Sequence, residues 1–276
     1  MAIQTQMGKP LNARLTGLLR AIWQGRIAYL FLAPLLIFFF TFVAYPSLRT
    51  VWMMFMRYDF LRPDRTQFIG LANVVEWVQD PRMLETFWVA VKFTLMYVPG
   101  STILALFVAI LLDRVKHPGV GSVFRTLYYF PVVLPAGILF IAWQWIFDAT
   151  WGPLNHLLID IMHLPIPWTR WLGDPNTALA SLVLMSIWRL MGATMILFLV
   201  GLNNIPQELN EAARIDGANE WQLLRHVTLP LLAPIFLVIM VLRLQVLGLI
   251  AEPLNMTEGG PVRSTMTYGL QAYYIT

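Results

Sequence analysis

Charged residues divide this chain into long apolar runs. Nothing charged lies between Arg26 and Arg49, between Lys92 and Asp113, or between Arg125 and Asp148. Two further runs, at about 178–202 and 228–250, are broken only by Arg189 and Arg243. A helix rises ~1.5 Å per residue, so ~20 apolar residues cross ~30 Å of hydrocarbon. The pattern therefore predicts five membrane-spanning helices, at about 27–48, 93–112, 126–147, 178–202 and 228–250. The fold class is all-α, a polytopic transmembrane bundle.

Composition agrees: 58% of the 276 residues are hydrophobic and 12% charged, about half the charge of a soluble domain. Such a chain is neither disordered nor, with no cysteine, a disulfide scaffold. The 19 basic residues are scattered among apolar runs and form no patch, which argues against nucleic acid as a partner. Membrane lipid is the expected surroundings.

The first span follows Lys9, Arg14, Arg20 and Arg26. It is longer than the ~7–15 apolar residues of a cleavable signal and lacks a small-residue cleavage site, so it reads as an uncleaved anchor. Leu15, Leu18, Leu19 and Ile22 recur at helical spacing. Residues 1–26 are therefore expected to form a cytoplasmic segment with an amphipathic helix on the membrane surface. Basic residues are denser in 1–26, 113–126 and 203–227 than in 49–85, 148–177 and 251–276, which puts the N-terminus in the cytoplasm.

The outer loop 148–177 is rich in Trp and Pro, including Trp151, Trp168 and Trp171. An interfacial aromatic belt explains this, and carbohydrate stacking is the alternative. No phosphate-binding loop, H-E-x-x-H, C-x-x-C or G-x-S-x-G motif occurs, so no catalytic residue and no metal site is assigned. The predicted spans hold no carboxylate that could relay protons, which weighs against a proton-coupled transporter.

The inner loop 203–227 reads as two short helices joined at a turn. Pro206 can open the first, with Glu208 near its positive end. Ile205, Leu209, Ala212 and Ala213 make an apolar stripe, and Gly217 after Asp216 marks a helix C-terminus. Small alanines allow the helix to sit deep in a groove of another protein, with Glu208, Glu211 and Arg214 at the rim. Packing on its own bundle would explain the stripe equally well.

Glu211-Ala212-Ala213, Gly217, Leu229 and Pro230 fall in register with the E-A-A-x-x-x-G-x(9)-I-x-L-P signature of inner-membrane permease subunits of binding-protein-dependent ABC importers. Val227 stands where that signature has Ile. The chain further resembles the carbohydrate, maltose-type branch at residues 68–73, at 124–131, and at Glu252-Pro253 with 257–261. The resemblance implies a type I ABC importer permease domain over 27–276, in a bacterial or archaeal plasma membrane. It makes 203–227 the coupling loop, with Glu208, Glu211, Ala212, Ala213, Asp216 and Gly217 transmitting closure of a cytoplasmic ATPase. It implies three partners: a second permease subunit, either a different chain or another copy; an ATPase dimer that binds ATP and Mg; and an extracytoplasmic solute-binding protein. No cofactor is expected on this chain. It also implies a sixth span after residue 261, absent from this sequence, so that a truncated permease fragment stays open beside a self-contained secondary transporter or channel.

Lys92, at the outer end of the second span, can snorkel to the interface. Arg189 and Arg243 lie inside spans, where an arginine costs at least ~2.5–3.5 kcal/mol on insertion scales, so both are expected to face the bundle interior or a wet cavity. They are satisfied there by neighbouring groups or a partner subunit, or they line the substrate path with Gln245.

Overall fold

The computed structural model describes residues 25–59, 61–115 and 117–275. The interfacial helix expected within 1–26 lies outside the described residues. The chain divides into two compact units, 1–79 and 80–276.

In the first unit, α1 (Arg26–Met53) runs 28 residues and includes a π-helical turn at Phe40–Ala44. Its stretch 27–44 is apolar on every side, which suits lipid contact. A small antiparallel hairpin follows, β1 (Met56–Arg57) pairing with β2 (Gln67–Phe68) so that Met56 faces Phe68. The Asn73 amide donates to the carbonyls of Met54 and Met56, each at 2.9 Å. That tie pins the start of α2 (Ala72–Gln79) to the hairpin. The stretch 49–79 is thus held by the Asn73 tie together with the Trp52–Phe68 ring contact at 6.3 Å.

The second unit is built on two long helices, α3 (Pro81–Asp113) and α6 (Ala178–Asn203). Asp80 caps α3 by accepting the Arg82 N–H at 2.8 Å, and Pro81 fits its first turn. The helix therefore begins well before the apolar run at 93. Ala105, Val108, Ala109 and Leu112 of α3 pack against Met191, Met195, Phe198 and Leu199 of α6. A second cluster joins Phe93 and Tyr97 to Phe140, Leu182, Met185 and Met256.

The third expected span is broken. Helices α4 (Pro118–Val133) and α5 (Ala136–Ile146) meet at 99°. Leu134 is extended (ψ 141°), because a residue preceding proline, here Pro135, is pushed out of the helical region. The fifth expected span is likewise divided. Helix α8 (Glu220–Leu231) and helix α9 (Ala233–Arg243) are bent by 61°, next to Pro234, which lacks the N–H that would continue the ladder. Among the described residues three helices are long and apolar enough to cross a membrane, or five if each bent pair is one span.

Helix α7 (Gln207–Ile215) lies between α6 and α8. After α9 come a 3₁₀ segment, Leu244–Gly248, and two short helices, α10 (Ala251–Thr257) and α11 (Tyr268–Ile275). Gly192 lets α4 approach α6: a β-carbon there would sit 2.1 Å from the Tyr128 carbonyl oxygen. Small residues at helix contacts are the usual means of packing in lipid.

Candidate functional site

The loop 203–227 folds into a clamped helix–turn–helix. Glu208 lies in the first turn of α7 and Arg214 in the last, which suits the helix dipole at both ends. At its C-terminus the Ala218 N–H donates to the Ala213 carbonyl (2.9 Å) and the Gly217 N–H to that of Arg214 (3.1 Å). This is the Schellman arrangement, and it requires Gly217 to be left-handed, at φ +84°. Asn219 then opens α8: its side chain accepts the Gln222 N–H (2.9 Å) while the Gln222 side chain accepts the Asn219 N–H (2.8 Å). The two caps fix the turn from both sides.

Glu208, Glu211, Ala212, Asp216 and Gly217 are exposed, and Ala213 is half-buried. The apolar stripe splits. Ile205 packs onto the bundle core, whereas Leu209 and Ala212 point outward. Ile215 is 86% and Trp221 66% exposed, so the module presents apolar groups among carboxylates. Beside the turn lies a groove of about 310 Å³ bordered by Ala213, Gly217, Gln222 and His226, among others.

Two residues to which the sequence assigns no site role connect this loop to the bundle. The Glu220 carboxylate receives Arg114, just past the end of α3, at 2.7 Å and Arg214, from the end of α7, at 2.9 Å. Arg114 and Glu220 are 106 residues apart, and no local pattern links them.

The second feature lies inside the bundle. Arg189, in α6, pairs with Glu252, in the first turn of α10, and its guanidinium lies 6.0 Å from the Phe140 ring centre. Glu252 is only 2% exposed. Glu252 lies just beyond the last predicted span and is carried into the bundle, where it neutralises Arg189. Arg243 donates to the Tyr97 hydroxyl and to Thr194 Oγ1 and lies 4.9 Å from the Tyr97 ring centre. It borders a cavity of about 150 Å³ with Thr194, Ala193 and Ile239. Gln245 is exposed on the 3₁₀ segment that follows Arg243. Lys92 is exposed and borders a cavity of about 640 Å³ together with Glu85 and Trp88.

The loop 148–177 is organised by Asn155, which is fully buried. Its amide donates to the carbonyls of Ala149 and Thr169 and accepts the Trp171 indole N–H at 2.9 Å. Trp171 is thus committed to the loop itself, while Trp151 and Trp168 are exposed. The backbone N–H groups of Trp151 and Thr150 hold the Asp148 carboxyl below its usual range. Among the described residues no group of three or more His, Cys, Asp or Glu side chains could hold a metal ion.

Residues 101–276 match the family described as binding-protein-dependent transport system inner membrane component. The chain belongs to this family. The inner membrane ABC transporter permease protein YcjO of Escherichia coli is 34% identical over 216 residues, 78% of this chain and 73% of its own. The trehalose/maltose transport system permease protein MalF of Thermococcus litoralis is 31% identical over 255 residues, 91% and 83% of the two chains. A crystal structure of a bacterial alginate ABC transporter shares the fold, with TM-score 0.73 at 20% identity, covering 93% of this chain and 84% of that one. As a member of this family the permease is a non-catalytic component of a membrane transport system.

Proposed function

We propose that this permease is the membrane-spanning subunit of an ATP-driven importer for a sugar or sugar-like solute. It forms half of the translocation path with a second permease subunit. A cytoplasmic ATPase dimer, which binds ATP and Mg, docks on loop 203–227, and an extracytoplasmic solute-binding protein delivers the solute. The N-terminus is cytoplasmic. Relatives at 30–31% identity are transport permeases for trehalose/maltose, sulfoquinovosyl glycerol and arabinooligosaccharides, which supports a carbohydrate-like cargo.

The observation that carries the reading is the doubly capped turn at Gly217, which holds α7 rigidly while leaving Ala212, Ile215 and both glutamates exposed. A stiff, exposed helix with an apolar centre and a charged rim is suited to insertion in a groove. When the ATPases close, α7 moves with them. The Glu220 bridge to Arg114 passes that motion to α3, and the continuous helix α8 passes it toward α9. Arg189 and Arg243 border the solute path, where opposed permease subunits alternately open it to either side.

The test is ATP-dependent uptake of radiolabelled sugars into vesicles holding the full complex, with Ile215→Asp and Ala212→Glu variants. Both positions are exposed, so membrane abundance should persist while uptake and ATPase co-purification fall. Retained uptake in both variants would refute docking at α7.

A further inference from the structure

Resting on the importer reading above, we propose that the solute carries an oxyanion, the carboxylate of a sugar acid, and that Arg243 receives it. Among the described residues, the charge gathered where α3, α6, α9 and α10 meet is two guanidiniums against one carboxylate. Glu252 is engaged by Arg189. Arg243 has neutral partners: the Tyr97 hydroxyl, the Thr194 hydroxyl and the face of the Tyr97 ring.

A guanidinium presents five N–H donors in a planar fork. Tyr97 and Thr194 accept from its two terminal nitrogens, and the side chain borders the 150 Å³ cavity. A net positive charge in a low-dielectric interior is costly. A sugar hydroxyl would accept hydrogen bonds but leave the charge uncompensated. A carboxylate does both, because its two oxygens match the guanidinium fork.

The probes are uronic-acid oligosaccharides and their neutral methyl esters, which differ in charge at nearly constant shape. ATP-dependent uptake is compared in vesicles holding the complete complex with wild-type, Arg243→Gln or Arg243→Lys permease, each quantified by immunoblot. The expected result is faster import of the acids by at least about tenfold, ~1.4 kcal/mol. That preference should collapse in Arg243→Gln and survive in Arg243→Lys. A preference that persists in Arg243→Gln belongs to the binding protein or to another residue and overturns the assignment. So does wild-type preference for the esters. Uptake of neutral maltose-type sugars with none of the acids also overturns the charge inference while leaving the importer reading intact; no ATP-dependent uptake of any sugar overturns both.

Discussion

Replacing Gly217 tests whether backbone geometry at the turn between α7 and α8 governs transport. The residue sits at φ +84°, and a β-carbon added there meets no atom within 4 Å. Gly217→Ala therefore meets no steric clash, and its cost is that of holding an L-residue in a left-handed conformation, ~1–2 kcal/mol. That energy lowers the ratio of the native turn to alternatives by a factor of about 5–30. Asparagine tolerates the left-handed region better, so Gly217→Asn should fall between wild type and alanine. The turn is exposed, so membrane abundance should stay near wild type for both. The assay is ATP-driven uptake together with ATPase activity in proteoliposomes. The expected order of coupled uptake is Gly, then Asn, then Ala, with uncoupled ATP hydrolysis rising in reverse. Equal uptake by Ala and wild type, or equal loss in Ala and Asn, would refute the role of the turn.

Gly192→Ala should act differently, because its β-carbon would strike backbone at 2.1 Å. Overpacking of ~1–3 kcal/mol or more should lower the yield of monodisperse protein on size-exclusion chromatography. Glu252→Gln leaves Arg189 without its counter-charge, and breaking such a buried pair costs ~3–5 kcal/mol. The melting temperature in detergent should drop, and the double variant Arg189→Met, Glu252→Leu should recover much of it. Glu220→Ala removes two exposed ion pairs, each worth ~0.2–1 kcal/mol. Stability should barely change, while coupled uptake falls at low salt, and the difference from wild type should shrink in 1 M salt, where the Debye length is ~3 Å.

The spans were legible because apolar run length is a local property, as in α6, where the run at 178–202 became Ala178–Asn203. Their interruptions were harder to see. Pro135 and Pro234 announce breaks, yet each lies within a long apolar run, and hydropathy alone averages over them. The turn at Gly217 was readable for a similar reason, since a Schellman motif and a capping box are written in adjacent residues. What escaped the sequence is long-range: Glu252 meets Arg189 across 63 positions, and Glu220 meets Arg114 across 106. Neither pairing has a periodic signature. The arginines themselves signalled that compensation was needed, since a bare charge is not tolerated in hydrocarbon, but not which residue supplies it.

The absence of cysteine from the chain permits a direct test of docking at α7. A single cysteine is placed at exposed Ala212, and in a second protein at exposed Ser122 near the start of α4. Maleimide labelling is then timed in inside-out vesicles with and without the assembled ATPase. Docking at α7 predicts that assembly slows labelling at position 212 by at least about tenfold, the change expected when ~1.4 kcal/mol of opening energy is added, and leaves position 122 within about twofold. Labelling at 212 that stays as fast in the assembled complex as in the free permease would contradict it.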